Sequence, residues 1–347
     1  MTLPELLYYA GYSIHKRHGT KNRKRLPCKV LSIGNITLGG TGKTPAAIAL
    51  ALQAKTRGFK PCILTRGYKG KVKGPCFVSN GGGRSLDSRQ AGDEAVLMAE
   101  KLEGVPVVKG RNRYEAGMFA IETLKIQNSK FKTELLFILD DGFQHWGLFR
   151  DKDVLLIDGT NPFGNRRLFP LGYLREPLKA ISRADIIVIT NSPVGRDAGE
   201  GERTQSLGIQ DLLEELKKYN PAAPIFFSEH MPVKFHTMSK QILPLEWAIG
   251  KTFYGFCGIG NPRSFRETLA STGADVKGFK TFRDHYAFSA GDIRAVTADA
   301  EKCGAGWIVT TEKDIMRLRG FDLPENLVSL VIEFQAEKKF YDEVFAF

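Results

Sequence analysis

Val30-Leu31-Ser32-Ile33-Gly34-Asn35-Ile36-Thr37-Leu38-Gly39-Gly40-Thr41-Gly42-Lys43-Thr44 is the stretch on which the fold turns. Residues 30–33 are continuously apolar and read as a buried strand, and residues 45–53 have the composition of a helix. Strand, glycine loop, Lys-Thr and helix in that order describe a phosphate-binding loop. Gly39, Gly40 and Gly42, together with Thr37 and Thr41, let backbone N–H groups curl around phosphate oxygens. Lys43 is placed to reach β- and γ-phosphates as a point charge, and the Thr44 hydroxyl suits Mg²⁺. The helix N-terminus adds its positive dipole end. The usual pattern has glycine where this chain has Thr37; the core Gly-Thr-Gly-Lys-Thr is intact.

Outward from this loop, apolar runs alternate with helical stretches. Cys62-Ile63-Leu64-Thr65 precedes Arg66-Gly67-Tyr68, and Leu135-Leu136-Phe137-Ile138-Leu139 precedes Asp140-Asp141. Val154-Leu155-Leu156-Ile157 precedes Asp158, and Ile186-Ile187-Val188-Ile189 precedes Thr190. Runs this uniformly apolar are strands covered on both faces. Helical stretches fall at residues 92–102 and 113–125. The alternation predicts an α/β fold, a P-loop NTPase-like, doubly wound, mostly parallel sheet. Asn220-Pro221-Ala222-Ala223-Pro224 ends a helix, and Ile225-Phe226-Phe227 reads as a short strand. A second, smaller α/β domain is then expected: a strand at 253–257, a helix from Pro262 and a strand at 307–309. The expected division is 1–222, 223–336, and a terminal helix at 337–347 packing back on the first domain. Residues 70–89, rich in Gly, Ser and Lys, read as a mobile loop.

The 347 residues are too many for one ordinary core. Apolar content of 42% and charged content of 25% are those of a soluble globular protein. No stretch approaches the roughly 20 apolar residues of a membrane span. Five cysteines, odd in number, widely spaced and without a CxxC pair, indicate neither a zinc site nor a disulfide framework, and fit a reducing cytoplasm. Cys62 and Cys257 fall in strand patterns and are expected in the core. The net charge of +12 implies an anionic partner without choosing among nucleic acid, lipid and phosphorylated substrate.

Part of that charge is local. Leu3, Leu6, Leu7, Ala10 and Ile14 recur at helical spacing, and His15-Lys16-Arg17-His18 and Lys21-Asn22-Arg23-Lys24-Arg25 follow. The charges come after the apolar segment, which is the wrong order for a signal peptide. Either the helix lies on an anionic membrane surface through its apolar face, or it packs on its own domain beside a solvated basic loop.

Further motifs carry chemistry. Asp140-Asp141 at a strand end resembles an element that holds Mg²⁺, although paired Asp also makes turns. Gly142-Phe143-Gln144-His145 extends that loop, and Leu174-Arg175-Glu176-Pro177 is a tight charged cluster. Arg175 is expected to face phosphate and Glu176 to complete the metal shell. Asp93 reads equally as a helix cap and His285 as a half-buried core histidine; Tyr68 is either a cleft residue or a packed surface aromatic.

In series, Ser32-Ile33-Gly34-Asn35, the run to Pro45, Thr65-Arg66-Gly67-Tyr68, Gly92-Asp93-Glu94, Asp140-Asp141-Gly142-Phe143-Gln144-His145 and Leu174-Arg175-Glu176-Pro177 resemble the tetraacyldisaccharide 4′-kinase family. Gly258-Ile259-Gly260-Asn261-Pro262, Asp284-His285 and Thr311-Glu312-Lys313-Asp314 continue the resemblance across nearly the whole chain. It implies ATP- and Mg²⁺-dependent phosphorylation of the 4′-hydroxyl of an acylated disaccharide 1-phosphate, peripheral on the cytoplasmic face of the bacterial inner membrane. It implies an Asp93–His285 dyad acting on the hydroxyl, with Lys43 at the phosphates. Thr37, Gly39, Gly40, Thr41, Gly42, Lys43, Thr44 and Tyr68 are then the nucleotide-side residues, and Thr44, Asp140, Asp141 and Glu176 the metal set. Arg66, Gln144, His145 and Arg175 are the supporting or substrate-side residues. Two positions depart from the family: Tyr286 where a second His is common, and Asn191 where a Lys often follows Thr190. The competing classes are a switch NTPase, which would hydrolyse nucleotide without an acceptor, and a nucleic-acid module. The latter lacks a recognisable basic face with stacking aromatics, so no nucleic-acid partner is expected.

Overall fold

The computed structural model describes residues 1–124, 134–191 and 200–347. Its strands are β1 (Lys29–Gly34), β2 (Lys60–Thr65), β3 (Cys76–Asn80), β4 (Pro106–Lys109), β5 (Leu135–Leu139), β6 (Lys152–Asp158) and β7 (Ile186–Thr190). Then follow β8 (Ile225–Thr237), β9 (Ile242–Pro244), β10 (Thr252–Cys257), β11 (Asp275–Thr281), β12 (Trp307–Thr311) and β13 (Leu327–Ala336). The helices are α1 (Leu3–Lys21), α2 (Lys43–Thr56), α3 (Ser88–Ala91), α4 (Asp93–Lys101), α5 (Arg113–Thr123), α6 (Glu200–Tyr219), α7 (Pro262–Ala270), α8 (Ala290–Lys302), α9 (Glu312–Leu318) and α10 (Lys338–Val344).

One sheet runs through the described residues in the order β11-β10-β12-β13-β8-β7-β6-β1-β5-β2-β4-β3, with β9 hanging on β8. Pairing is parallel except at β13/β8, β8/β9 and β3/β4. The expected doubly wound, mostly parallel α/β fold is what forms. Each central strand is buried on both faces, as the apolar runs required; β5 and β7 are buried throughout. Cys62 and Cys257 are in the core.

The expected short strand at 225–227 is instead the 13-residue β8. Its first residues pair in parallel with β7, and the remainder runs antiparallel to β13. Only residues 225–227 are continuously apolar, so the rest did not read as strand. Pro232 sits beside a bulge opposite Val331 and Ile332, where a missing N–H is tolerated. Helix α1 also runs further than its apolar residues suggest, so His15 to Lys21 are helical rather than a loop. The 70–89 segment holds β3 and α3, not a loop alone. Helix α5 ends at Thr123 by its hydrogen bonds; the expected end at Lys125 lies outside the described residues. Helix α10 buries Phe340 and Val344 against Ala47, Leu50 and other residues of α2 and the first half of the sheet.

The topology collects the C-terminal ends of β1, β5, β2 and β7 at one edge. The glycine loop follows β1, Asp140 follows β5, Arg66 follows β2 and Asn191 follows β7. In open α/β sheets that edge is where ligands bind.

Candidate active site

The glycine loop turns into α2 through Gly42, at φ 78°, and Gly39 has φ 112°. A side chain on Gly42 would also strike His230, whose Nε2 would lie 2.1 Å from the added carbon. Lys43 and Thr44 are the first residues of α2, at its positive end. The Lys43 ammonium lies 3.2 Å from Asn35 Oδ1 and 3.6 Å from Asp141 Oδ1. Arg175 Nη1 reaches both Asp141 oxygens, at 2.9 and 3.0 Å. Burial pushes the Asp141 carboxyl up, but Lys43 and Arg175 hold it well below the usual carboxylate range.

Asp140 behaves oppositely. Its carboxyl is buried and accepts a 3.0 Å hydrogen bond from Thr65. Burial first, then the charges of Glu94 and Asp141, raise it to about 7, against the pull of Lys43 and Thr65. A dehydrated carboxylate short of positive charge suits a cation. Thr41 Oγ1, buried in the same loop, has no partner. Thr44, Asp140 and Asp141 line one cleft and are hard oxygen donors of the kind Mg²⁺ takes. Among the described residues no group of three or more His, Cys, Asp or Glu is assembled for a metal. Phosphate and water oxygens must complete any shell here.

Glu176 does not join them. It is fully buried, and its carboxylate accepts from Arg183 at 2.7 and 3.0 Å, from Gln144 Nε2 at 2.7 Å and from the Tyr12 hydroxyl at 2.8 Å. A carboxylate saturated this way has no lone pair free for a cation, so the expected metal role fails. It ties α1 to the 174–183 segment instead. Gln144 also donates to Asn35 O at 2.7 Å, bracing the strand end before the glycine loop. His145 lines the cleft; burial, then Arg113 and Arg150, hold its imidazole down at about 3, so it is neutral. Arg66 lines the same cleft.

Asp93 and His285 are 192 positions apart in sequence and meet at 3.1 Å, Oδ2 to Nδ1. Asp93 is the first residue of α4, and Gly92, at φ 94°, is the cap. Asp93 Oδ1 accepts from Glu94 N at 3.0 Å, and Arg317 Nε lies 3.3 Å from Oδ2. Burial alone would raise this carboxyl; the bond from His285 and the charges of Lys313 and Arg317 overcome it and bring it down to about 2. On the other side of the imidazole, Nε2 is 3.3 Å from the Lys313 ammonium. Lys313 also pairs with Glu94 at 2.9 Å and Asp284 at 3.5 Å. These contacts fix the tautomer. An ionised carboxylate only accepts, so Nδ1 carries the proton; an ammonium only donates, so Nε2 carries the lone pair. Tyr68, expected at the nucleotide, packs against His285 with ring centres 5.0 Å apart.

The phosphate loop, the Asp140–Asp141 pair and His285 all line one cleft of about 1430 Å³. Sequence reading missed the charged brace on α9. Arg317 binds Asp93, fully buried Asp314 and the carbonyls of Gly258 and Tyr286. Its only sequence signal is the Thr-Glu-Lys-Asp run at 311–314. Sequence reading also missed Asn191–His230 (2.6 Å, Oδ1 to Nδ1), which ties the end of β7 to β8, and Asn261–Asp158 (3.1 Å), which ties the cap of α7 to the end of β6.

A family model described as tetraacyldisaccharide-1-P 4′-kinase matches residues 5–346. The tetraacyldisaccharide 4′-kinase of Syntrophus aciditrophicus is 38% identical over 322 residues, 91% of this chain and 83% of that one. That of Syntrophobacter fumaroxidans is 36% identical over 320 residues, 92% and 79% of the two chains. The crystal structure of LpxK from Aquifex aeolicus in complex with ATP matches with a TM-score of 0.71 at 32% identity, covering 98% of this chain and 96% of that one.

Proposed function

Because the chain belongs to the tetraacyldisaccharide-1-P 4′-kinase family, we propose that it transfers the γ-phosphoryl group of ATP to the 4′-hydroxyl of a tetraacyldisaccharide 1-phosphate, giving lipid IVA in lipid A biosynthesis. The observation that carries this reading is that a phosphate loop and an Asp–His pair of fixed tautomer share one cleft.

The glycine loop and Lys43 receive the nucleotide phosphates. Mg²⁺, when bound, supplies charge neutralisation on the phosphoryl oxygens, and Thr44, Asp140 and Asp141 would hold it. Lys43 and Arg175, now paired with Asp141, line the same cleft and are available to the charge of the phosphates. The acceptor hydroxyl lies toward His285 Nε2, whose lone pair takes its proton. Asp93 orients the ring and stabilises the charge it gains. Most of the catalysis is positioning and electrostatics, as phosphoryl transfer requires. On this reading the two expected domains, 1–222 and 223–336, contribute Asp93 and His285 respectively to the dyad.

The acceptor's acyl chains stay in a bilayer, so the enzyme must come to it. On this reading helix α1 makes the contact. Its apolar row faces outward, with Leu3 and Ile14 each 70% exposed. Its inward row is Glu5, Tyr8 and Tyr12, bonded to Arg167, Arg175 O and Glu176. No helix of the described residues is long and apolar enough to cross a membrane. On this reading the protein is peripheral, on the cytoplasmic face where ATP is present, with α1 lying on the anionic leaflet.

Incubation with ATP, Mg²⁺ and tetraacyldisaccharide 1-phosphate, read by mass spectrometry, tests the function. A gain of one phosphate at the 4′ position is expected, and ATP hydrolysis without acceptor phosphorylation would overturn it. Lys43→Ala should fold normally and lose about 3 kcal/mol of transition-state stabilisation, roughly a hundredfold in turnover.

A further inference from the structure

We propose that a second element, the loop of residues 163–173, enters the same membrane as α1, so that the bilayer grips the protein at two points flanking the mouth of the cleft. The proposal rests on the reading of α1 as a membrane-lying helix and extends it to a part of the fold distant in sequence.

The loop presents Phe169, Leu171 and Tyr173 to solvent at 44, 43 and 55% exposure. It is not a loose segment that happens to expose them. Phe169 N donates to Leu174 O at 2.9 Å and Leu174 N to Arg167 O at 3.0 Å. Leu171 N and Gly172 N both donate to Leu168 O, and Asn165 Nδ2 donates to Leu171 O at 2.8 Å. A side chain on Gly172 would come within 2.0 Å of Arg167 O. Leu168 and Leu174 point inward and are buried. The backbone is thus fixed, with two apolar side chains anchored and three held out. A rigid loop that holds large apolar groups in water has a non-aqueous surface to meet.

That surface is continuous with α1. Arg167 grips Glu5 at 2.9 and 3.1 Å, and the same Glu5 closes the capping box with Thr2. Tyr8 packs edge-on against Phe169, ring centres 5.4 Å apart. On the other side, Leu38 N donates to Tyr173 O at 2.6 Å, and Leu38 is itself exposed. Leu7, Tyr8, Leu38 and Phe169 line the cleft. The outward residues of α1, Leu38 and the loop therefore form one apolar rim around the opening through which an acylated acceptor must pass. Cations sit beside it: Arg17 and Lys21 are exposed along α1, and Arg166 and Arg167 are exposed in the loop, paired with Glu215 and Glu5. An apolar rim edged with cations fits an anionic bilayer.

The test uses the full chain and vesicles of phosphatidylethanolamine with phosphatidylglycerol. Leu171→Ser with Tyr173→Ser removes the loop's contribution while sparing the cleft lining. Leu3→Ser, Leu6→Ser and Ile14→Ser remove that of α1. Thermal melts and ATP binding confirm that each variant is folded. The loop variant should co-sediment with vesicles roughly tenfold more weakly, from the apolar area withdrawn. In a Leu171→Trp protein, brominated acyl chains should quench fluorescence beyond that seen in the parent. A loop variant that binds like the parent, with no added quenching, overturns the proposal and leaves the α1 reading standing if the α1 variant loses binding. Loss in the loop variant alone sinks the α1 reading and overturns the two-point grip with it, leaving the loop as the sole contact; loss in both variants supports the proposal. Self-association of the parent that the loop variant abolishes, with vesicle binding unchanged, assigns the face to a second copy and overturns the proposal.

Discussion

Lys313 shows how one residue sets the chemistry of another. The imidazole of His285 meets Asp93 and, more distantly, Asp284, with Tyr68 across the ring and Lys313 at Nε2; Lys69 binds its carbonyl. Glu94 reaches Lys313, and Arg317 reaches Asp93. With Lys313 removed, Nε2 loses the donor that sets the tautomer, and Glu94 and Asp284 lose a shared cation. Lys313→Met should therefore lower kcat/KM roughly tenfold with ATP binding kept, while Lys313→Arg retains most of it. Parent-like kinetics in a folded Lys313→Met protein would mean that Lys313 is only structural. Asp93 makes a stability prediction. Its carboxyl titrates near 2 in the folded chain against roughly 4 unfolded, so the unfolded state binds more protons between those values. Its contribution, about 2 kcal/mol, is complete above pH 4 and lost as pH falls toward 2. Asp93→Asn should flatten that part of the acid-unfolding curve, and an unchanged slope would refute the charge network.

At the scale of the element, α1 turns its apolar row outward and its hydrogen-bonding row inward. The same substitution should act oppositely at its two glycines. Gly11 has open space around it, so Gly11→Ala should stabilise by about 0.5–1 kcal/mol through helix propensity. Gly19 lies against Trp146, and an added carbon would come within 2.6 Å of Trp146 Cβ. Gly19→Ala should cost about 1 kcal/mol net, overpacking outweighing propensity. Melting temperatures of the two variants check the signs; equal shifts would mean that the helix end is not seated on Trp146. The placement also explains why composition alone left the helix ambiguous. Leu3, Leu6, Leu7, Ala10 and Ile14 make the same stripe whether the helix packs inward or outward, and the bonds Glu5–Arg167, Tyr8–Arg175 O and Tyr12–Glu176 decide which face is inside.

Across the whole molecule, the two halves are joined by more than a linker. β8 belongs to the ladders of both. Met316, Phe334, Phe340 and Val344 share a core with Ala47, Leu50 and Val96. Helices α4 and α9 are bridged by Lys101–Glu312 at 2.6 Å and Lys313–Glu94 at 2.9 Å, with Arg319–Glu100 at the end of α9. Calorimetric unfolding should accordingly show one cooperative transition with matching calorimetric and van't Hoff enthalpies. Two resolved transitions would show that the halves unfold independently.

The phosphate loop, the central strands and the α/β class were legible in the chain because they are local. Glycine freedom, apolar runs and Lys-Thr at a helix start act over a few neighbouring residues. Asp140 and Asp141 were legible as a pair, but the sequence does not display that burial and Glu94 raise the first carboxyl while Lys43 and Arg175 lower the second. The meeting of Asp93 with His285 entered only through family resemblance, since nothing near either residue names the other across 192 positions. Glu176 shows the limit most plainly. A carboxylate beside an arginine in a loop reads as a metal ligand or a brace with equal ease. Tertiary packing brought Arg183, Gln144 and Tyr12 to it and left no lone pair for a cation. Local conformational preference fixed which elements form. The satisfaction of buried charge by partners distant in sequence decided what each side chain does.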